Sequence, residues 1–586
     1  MKNVPATRYW SFLRTYLGGQ RKQVGIMGGL ILLGLSLELI NPQIISRFID
    51  NALAGAETSA LLGIASLYLA FAILNQLGSV AANYVAANVG FIATNQLRAK
   101  LALHALTLDA SYHNRHTPGE LIERVDGDVG TLNNFFSRFL VELLGNVLLL
   151  IGVLGVLFLI DWRVGLALTL FALFTLVVVN RLSDIAVPHW RQVRETIATL
   201  YGFLEERLAG TEDIRANGAV SFTINRLFML ARELLRREIR AELIGMAAYG
   251  TGLVLFMVGA ALSLGMGVWL FQEGTITIGM VYVIFRYAEL LQTPLEQINR
   301  QIQDLQQAGA SLLRIQEMLS ETSALTDGDG RLPEIALDVS FDAVSFGYNP
   351  DEFVLRDVTF KLGAGRVLGL LGRTGSGKTS LTRLLFRLYD PTSGAIRVGK
   401  QDLRSLQLAN LRKSIGMVTQ QIQLFNASVR DNLTFFDDSV PDERIVVALR
   451  ELGLGNWYEA LPDGLDTRLA PGGKGLSAGE AQLLAFVRVF LEDPHLIILD
   501  EASSRLDPAT EQRLEHAIAK LLEGRTAIII AHRLATVQRV DEIMILEQGE
   551  ILERGDRTTL AEDPDSRFAH LLQVGLSALE TEDAIP

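Results

Sequence analysis

Long apolar runs dominate the first half of the chain and alternate with polar, charged stretches. The six runs cover residues 24–44, 60–82, 140–160, 164–182, 247–271 and 278–295. Each is close to the roughly 20 mainly apolar residues that a helix needs to cross the hydrocarbon core of a bilayer. The pattern therefore predicts an all-α domain of six membrane-spanning helices within residues 1–319. Two prolines inside the runs, Pro42 and Pro294, are expected to kink their helices.

Short and long connections alternate between these runs. Residues 45–59, 161–163 and 272–277 form short links, whereas residues 83–139 and 183–246 are long and keep an amphipathic, charged helical pattern. Helices are therefore expected to continue well beyond the membrane on the side of the long links. The short links hold only Arg47 and Arg163, while the opposite side is rich in arginine and lysine. The positive-inside rule places that basic side in the cytoplasm.

The residues before the first run mix aromatic, apolar and basic side chains. They include Arg8, Trp10, Phe12, Leu13, Arg14, Tyr16 and Leu17. This mixture predicts a short helix lying in the membrane interface, with an ordinary soluble helix as the alternative. No signal-peptide pattern is present in this stretch.

Several polar residues interrupt the apolar runs. Glu38 lies in the first run, Asn75 and Gln76 in the second, and Arg286 and Glu289 in the sixth. A charge at the centre of a spanning helix costs about 2.5 kcal/mol or more, so such residues face protein or a wet cavity. Two interpretations stay open, namely a polar translocation path and an internal ion pair between Arg286 and Glu289.

Composition agrees with a membrane protein. Charged residues make up 20% of the chain and the mean hydropathy is +0.28, both unusual for a soluble enzyme. The net charge of −12 offers no basic surface for nucleic acid, and the absence of cysteine excludes disulfides and thiolate metal sites. We expect a multi-pass protein of the plasma (inner) membrane that contacts membrane lipids and does not bind nucleic acid.

After residue 319 the pattern changes to that of a soluble α/β domain. Residues 320–334 form a turn-rich linker, and strand-like alternation begins at 335. A strand at 367–371 leads into Gly-Arg-Thr-Gly-Ser-Gly-Lys-Thr at 372–379, and a helix at 379–388 follows. This strand–loop–helix order is the context that a P-loop requires. It predicts an α/β P-loop ATPase domain at 335–586 that uses ATP and Mg²⁺.

The P-loop glycines allow backbone N–H groups to approach phosphate oxygens at a helix N-terminus, which favours an anion. Lys378 is expected to contact the β- and γ-phosphates, and Thr379 to bind Mg²⁺. The full set of predicted phosphate-binding residues is Gly372, Arg373, Thr374, Gly375, Ser376, Gly377, Lys378, Thr379 and Ser380.

Three residues at later strand ends complete the predicted catalytic set. Asp500 ends an apolar strand at 496–499 and suits the second protein contact to Mg²⁺. Glu501 follows it and is placed to polarise the attacking water. His532 follows a second apolar strand at 527–531 and is expected to hold the γ-phosphate and that water.

Taken together, these motifs resemble the nucleotide-binding domain of ABC transporters, and the whole chain resembles a half-transporter of the exporter type. The resemblance implies that Tyr348 stacks on adenine and that Gln420 senses Mg²⁺ and the membrane domain. It also implies that Ser477 and Gly479 face a nucleotide held by a second ATPase domain, with Asp507 as the aspartate of the D-loop. Residues 117–120, with Asp126 and Asp128, resemble the first intracellular loop, whose coupling helix docks on the ATPase. Residues 210–217 resemble the second loop.

One departure from the family pattern concerns the signature motif. The family has Leu-Ser-Gly-Gly-Gln, whereas residues 476–480 read Leu-Ser-Ala-Gly-Glu. Ala478 adds a Cβ that resists close approach, and Glu480 adds a negative charge near a polyanion. At a separation of about 8 Å and an effective dielectric near 20, one unit-charge pair costs on the order of 2 kcal/mol. We therefore expect one half of a heterodimeric exporter, with a homodimer in which both residues are tolerated as the alternative.

The expected function is ATP-driven export of small hydrophobic or amphipathic compounds by alternating access. A lipid flippase shares the same architecture. An ATP-gated channel, a regulatory subunit, an importer and a soluble ATPase of DNA repair or translation are weaker alternatives. The intact Glu501 argues against a channel or regulatory subunit, and the apolar runs argue against a soluble protein.

Overall fold

The computed structural model describes residues 18–574, apart from 136, 138, 139, 350, 351, 421, 501–507 and 532–536. The predicted interfacial helix and three predicted site residues, Glu501, Asp507 and His532, lie outside the described residues. The chain forms two compact units. The first holds the residues up to Leu106 together with Pro118–Glu321, and the second holds Thr107–Thr117 together with the chain from Thr322 onward.

Long helices make up the first unit. By length and composition, five helices among the described residues can cross a membrane, and they span Gly18–Leu53, Thr58–Thr107, Glu142–Ile160, Trp162–Ala209 and Val220–Gln272. Three of them contain 48 to 53 residues. At a rise of 1.5 Å per residue such helices are about 75 Å long, more than twice the hydrocarbon thickness. The long charged links therefore continue the spanning helices, as their pattern predicts.

The sixth predicted span is divided. One helix covers Ile278–Leu290, and a second covers Gln292–Ser320. Pro294 explains the break, because its ring clashes with the carbonyl of Leu290 and it has no N–H to donate to that carbonyl. The first helix, Arg21–Leu53, by contrast continues through Pro42.

Short helices and side-chain caps complete this unit. The short helices are Pro118–Ile122, Asp128–Asn134 and Thr211–Ala216. Thr277 caps the helix Ile278–Leu290 by accepting a hydrogen bond from the N–H of Met280 at 3.2 Å. Asp161 caps the helix that begins at Trp162.

Two sheets form the frame of the second unit. The strands, in chain order, are β1 Val339–Phe346, β2 Leu355–Leu362, β3 Val367–Leu371, β4 Ser393–Val398, β5 Gln401–Asp402, β6 Ile415–Val418, β7 Leu496–Asp500, β8 Thr526–Ile530, β9 Glu542–Glu547 and β10 Glu550–Asp556. In the described part, β2-β1-β4-β5 form an antiparallel sheet, and β10-β9-β3-β8-β7-β6 form a second sheet that is parallel from β9 to β6.

Every residue of β3, β7 and β8 is buried, as expected for parallel strands covered on both faces. Helices of this unit are Ala110–Arg115, Lys378–Leu385, Leu408–Ser414, Val429–Thr434, Asp442–Glu451, Gly455–Glu459, Ala478–Glu492, Pro508–Leu522, Arg557–Glu562 and Arg567–Val574. Because β3 and β7 run in the same direction, their carboxyl ends bring residues 372–379 and Asp500 to one edge of the sheet.

Candidate nucleotide site

The loop after β3 is bent in a way that requires glycine. Gly372, Gly375 and Gly377 have φ angles of 147°, 83° and 103°. A Cβ on Gly372 would lie 2.3 Å from the carbonyl oxygen of Leu546. One on Gly377 would lie 2.6 Å from the side chain of Leu355. The backbone geometry therefore favours glycine at all three positions, and Gly372 and Gly377 also lack the space for a larger residue.

The helix that follows the loop, Lys378–Leu385, starts without a side-chain cap. Gly377 occupies the N-cap position and the first turn contains no acidic residue. The first N–H groups of a helix have no partner within the helix and favour an anion. The hydroxyl of Ser376 is buried and makes no hydrogen bond among the described residues. This helix start is therefore suited to phosphate.

Lys378 lies across the loop that it follows. Its Nζ donates hydrogen bonds to the carbonyl oxygens of Gly372 at 2.7 Å and Arg373 at 2.9 Å, and its side chain is buried. These bonds hold a positive charge beside the helix start, where a phosphate would need it. Arg373, Thr374 and Gly375 are exposed on the outside of the loop.

The two predicted Mg²⁺ ligands lie close together. Thr379 Oγ1 is 3.5 Å from Asp500 Oδ2, and Asp500 is buried at the end of β7. Gln420 lies in an exposed bend just after β6, which pairs with β7. Hydroxyl, carboxylate and amide oxygens are hard ligands of the kind that Mg²⁺ prefers. The residues present therefore fit this ion.

An aromatic cluster stands beside the P-loop helix. The hydroxyl of Tyr348 is 3.1 Å from Ser380 Oγ and accepts a hydrogen bond from Arg383 at 3.2 Å. Its ring packs edge-on against Phe346 and Tyr389, with centroid distances of 4.9 and 5.3 Å. Tyr348 is nevertheless 41% exposed, so part of its ring remains available to a base.

A short helix from far earlier in the chain belongs to the same unit. In the coupling segment, which we define as residues 107–117, the side-chain amide of Asn114 donates to the hydroxyl of Tyr389 at 2.5 Å. Burial raises the pKa of the Tyr389 hydroxyl, which therefore stays protonated at neutral pH. The coupling segment is thus linked through Tyr389 to Tyr348. Sequence reasoning missed both ends of this contact, since no motif marks Tyr389 or Asn114.

The helix of the coupling segment, Ala110–Arg115, precedes the loop motif predicted at 117–120. Asp109 caps this helix by accepting the N–H of Tyr112 at 3.1 Å, and it also accepts the N–H of Ala324 at 2.5 Å. Burial acts to raise the pKa of Asp109, but the N–H donors of Ala324 and Tyr112 outweigh it, so the pKa lies below its ordinary value. One carboxylate therefore holds the coupling segment to the linker.

The signature helix, which we define as Ala478–Glu492, starts very differently from the P-loop helix. Ser477 is its N-cap and forms a full capping box with Glu480. The N–H and the hydroxyl of Ser477 both donate to Glu480 Oε2, at 2.8 and 2.9 Å, and the N–H of Glu480 donates back to the Ser477 hydroxyl at 3.2 Å. Ala478 is exposed and Gly479 is buried. The donors of Ser477 are thus already bonded to a carboxylate of the same chain.

Two family models match the chain. The one described as "ABC transporter transmembrane region" matches residues 24–295, and the one described as "ABC transporter" matches residues 355–504.

Relatives match across most of the chain. The ATP-dependent lipid A-core flippase of Idiomarina loihiensis is 29% identical over 544 residues, which cover 91% of this chain and 92% of the flippase. The fatty acid ABC transporter ATP-binding/permease protein of Mycobacterium bovis is 30% identical over 465 residues, which cover 78% of this chain and 72% of the relative.

The fold also matches a solved structure, that of a bacterial Atm1-family ABC exporter with ATP bound. The TM-score is 0.78 with 23% identity, and the match covers 97% of this chain and 99% of the exporter. The helical unit followed by a mixed α/β unit is therefore the fold of that exporter.

Proposed function

The chain belongs to the ABC transporter family as a half-transporter of the exporter type, an integral multi-pass membrane protein fused to a transport ATPase. From this premise we propose that it pumps hydrophobic or amphipathic compounds by alternating access, as the catalytically competent half of a heterodimer. The observation that carries the proposal is the contrast between a P-loop helix start left open for phosphate and a signature helix start capped by its own acid.

The proposed catalytic site combines the P-loop and the strand-end residues of this chain with the signature motif of the partner. Lys378 would leave the carbonyls of its loop and contact the β- and γ-phosphates, while Tyr348 stacks on adenine. Thr379, Asp500 and Gln420 would hold Mg²⁺, which neutralises charge on the phosphates. Glu501 would orient and polarise the attacking water, and His532 would hold the γ-phosphate.

The second composite site would use the signature helix of this chain over the P-loop of the partner. There Ser477 and Gly479 face the γ-phosphate of the partner's nucleotide, with Asp507 completing the contact. Glu480 opposes this role in two ways, because it occupies the donors of Ser477 and carries a charge of the same sign as the phosphate. This site would bind ATP with little turnover.

The uneven distribution of lysine and arginine between the two sides of the membrane supports one orientation of the pump. Lysine and arginine concentrate on the side of the long helical extensions, which the positive-inside rule assigns to the cytoplasm. We place the protein in the plasma (inner) membrane with its ATPase unit in the cytoplasm, where ATP is available.

The deciding experiment compares the chain purified alone with the chain co-expressed with a half-transporter that has a complete signature motif. We expect the lone chain to show little ATPase activity and the pair to be active. In that pair, Glu501→Gln should remove nearly all ATPase activity, because the other composite site turns over slowly. Survival of half the activity or more would contradict the asymmetric assignment, and a stable, active dimer of the lone chain would establish the homodimer instead.

A lipid flippase is the second candidate function. The relatives named as a lipid A-core flippase and a fatty acid transporter both favour a lipid-like substrate. Reconstituted transport of a fluorescent lipid, compared with that of a soluble dye, separates the two functions. Transport against a gradient in the same vesicles excludes an ATP-gated channel or a regulatory subunit.

A further inference from the structure

The helix Ile278–Leu290 has two opposite faces of different character. Gly279, Val283, Ile284 and Tyr287 are buried. Tyr287 fixes this face, because its hydroxyl donates to the carbonyl oxygen of Leu39 at 2.6 Å and accepts from Gln43 at 3.2 Å. The other face therefore points away from the packing of this unit.

That other face lines an apolar groove at one end. Ile278, Val281, Tyr282 and Phe285 recur every three or four residues, which places them on one side of a helix. Together with Ile49 and residues of the helix Val220–Gln272, they line a groove of about 530 Å³. This volume falls within the roughly 300–1,000 Å³ range of ligand pockets. An aliphatic chain is the occupant that such a lining favours.

The same face ends in an ion pair. Arg286 Nη1 donates to Glu289 Oε2 at 2.5 Å, and the two side chains are 43% and 46% exposed. Among the described residues, the Arg286 guanidinium makes no second hydrogen bond, so most of its five N–H donors stay available. Charges inside a membrane span are costly and face protein or water, so the partly exposed pair marks a polar patch next to the apolar groove.

Further polar side chains interact electrostatically with the ion pair or with its neighbour Tyr282. Glu38 lies within electrostatic reach of Arg286. Tyr68 and Tyr282 lie within reach of each other, and Tyr282 also lies within reach of Arg286 and Glu289. The cluster thus combines one guanidinium with two carboxylates and two aromatic rings, and its formal charge is negative. Guanidinium binds phosphate well, whereas carboxylates with aromatic faces suit an ammonium group.

We propose that this groove and charged cluster form a binding site for a zwitterionic amphiphile. The aliphatic chain lies in the groove, the phosphate contacts Arg286, and the ammonium group lies between Glu38 and Glu289 beside the tyrosines. The proposal rests on the proposed export function and narrows its substrate class.

The test uses the full-length transporter, with its partner subunit where activity requires one, reconstituted in vesicles. The probes are acyl-labelled phosphatidylethanolamine, which carries phosphate and ammonium, and acyl-labelled phosphatidylglycerol, which carries phosphate alone. We expect the first to bind about tenfold more tightly, the size expected for one charge-assisted hydrogen bond. Glu289→Gln should reduce this preference to about twofold or less, and Arg286→Gln should weaken both lipids.

Glu273→Gln is the matched control, because Glu273 pairs with Arg163 in another half-exposed ion pair of the same unit. The control should keep the wild-type preference. Thermal unfolding of each variant in vesicles shows whether it is folded. Arg286→Lys keeps the positive charge, so it should retain more phosphatidylglycerol binding than Arg286→Gln and serves as a second variant.

Equal binding of both lipids by the wild type would overturn the proposal, as would an unchanged preference in folded Glu289→Gln. A stronger preference for a single-chain zwitterion with the same head group, such as lysophosphatidylethanolamine, would support the same site with a free amphiphile as its ligand in place of a bilayer lipid. If the zwitterion preference is absent but the vesicles still pump another compound, the binding-site proposal fails and the export function stands. If no ATP-driven transport occurs at all, the proposed function itself is refuted.

Discussion

The P-loop helix (Lys378–Leu385) and the signature helix (Ala478–Glu492) belong to one ATPase unit and are both predicted to point their first turn at phosphate. The first begins at a glycine with left-handed φ, has no side-chain cap and has no acid in its first turn. The second begins at Ser477, whose N–H and hydroxyl already donate to Glu480. A helix N-terminus without a side-chain cap is therefore better suited to an anion than one whose first donors are bonded to an acid of the same chain.

The largest expected effect tests the open helix start. Lys378→Ala removes the charge beside it and should lower the ATPase rate of the assembled transporter by about 100-fold or more, the usual size for losing one donor to transition-state charge. Ser477→Ala in the same chain should change the rate far less, because the second composite site turns over little. ATPase assays on both variants provide the measurement.

Lys413→Ala is a suitable control, since Lys413 is exposed at the end of the helix Leu408–Ser414. If Ser477→Ala were as damaging as Lys378→Ala, the two helix starts would be functionally equivalent and the comparison would fail.

The next effect concerns the acid that caps the signature helix. Glu480→Gln keeps a residue that can complete a capping box but removes a charge worth on the order of 2 kcal/mol against a phosphate. ATP should then stay bound at the second composite site roughly 30-fold longer. Retention of radiolabelled ATP by the heterodimer measures this.

Glu443→Gln is the matched control, because Glu443 is an exposed acid in the first turn of another helix of the unit, Asp442–Glu451. It should leave ATP retention unchanged. An equal gain in both variants would show that overall charge, and not the capping of Ser477, is responsible.

A smaller effect is expected where the P-loop helix connects to the coupling segment. Tyr389→Phe removes the hydroxyl that accepts from Asn114 but keeps the ring that packs on Tyr348. One hydrogen bond contributes about 0.5–1.5 kcal/mol, so substrate stimulation of the ATPase should fall by about threefold to tenfold.

Nucleotide affinity should change less than stimulation in Tyr389→Phe, since adenine is predicted to contact Tyr348 and not Tyr389. Tyr458→Phe, elsewhere in the unit, should have neither effect. A double variant with Asn114→Ala should add nothing further, and fully additive losses would show that the two residues act separately.

The smallest effect concerns a third helix start, that of the helix Ala110–Arg115. Its first N–H groups are also capped by an acid of the same chain, Asp109. The pKa of Asp109 lies below its ordinary value of about 3.9. The stabilisation that the Asp109 carboxylate gives to the coupling segment is therefore complete above about pH 4 and is lost as the pH falls through the lowered pKa. The protection of the coupling segment against hydrogen exchange, taken relative to the intrinsic exchange rate at each pH, should fall only below about pH 4.

Asp109→Ala should remove about 1 kcal/mol of helix capping at neutral pH and make the protection of this segment independent of acid. A loss of protection between pH 7 and 5 in the wild type would contradict the lowered pKa.

Much of the ATPase frame could be predicted from sequence because its signals are local. The strand at 367–371 matches β3, and the predicted strands at 496–499 and 527–531 correspond to β7 and β8, each within a residue. The helix after the P-loop is shorter than predicted and ends at Leu385. Glycine spacing in 372–377 also predicted a phosphate-binding loop, whereas the left-handed φ angles of these glycines were found only in the structure.

Contacts between distant residues could not be predicted in the same way. Asn114 and Tyr389 are 275 positions apart and belong to no shared motif. The Ser-x-x-Glu spacing at 477–480 is a visible capping-box signal, yet only the structure shows that one carboxylate oxygen accepts two hydrogen bonds from Ser477. The break at Leu291 likewise needed the structure, although Pro294 predicted a kink. The roles of Glu501, Asp507 and His532 stay predictions.

The chain passes between its two compact units three times, after Leu106, after Thr117 and after Glu321. Two of these passages end close together inside the second unit, because Asp109 accepts the N–H of Ala324. The segments that enter this unit after Leu106 and after Glu321 are therefore tied to each other by a single carboxylate, although Asp109 and Ala324 are 215 positions apart in the chain.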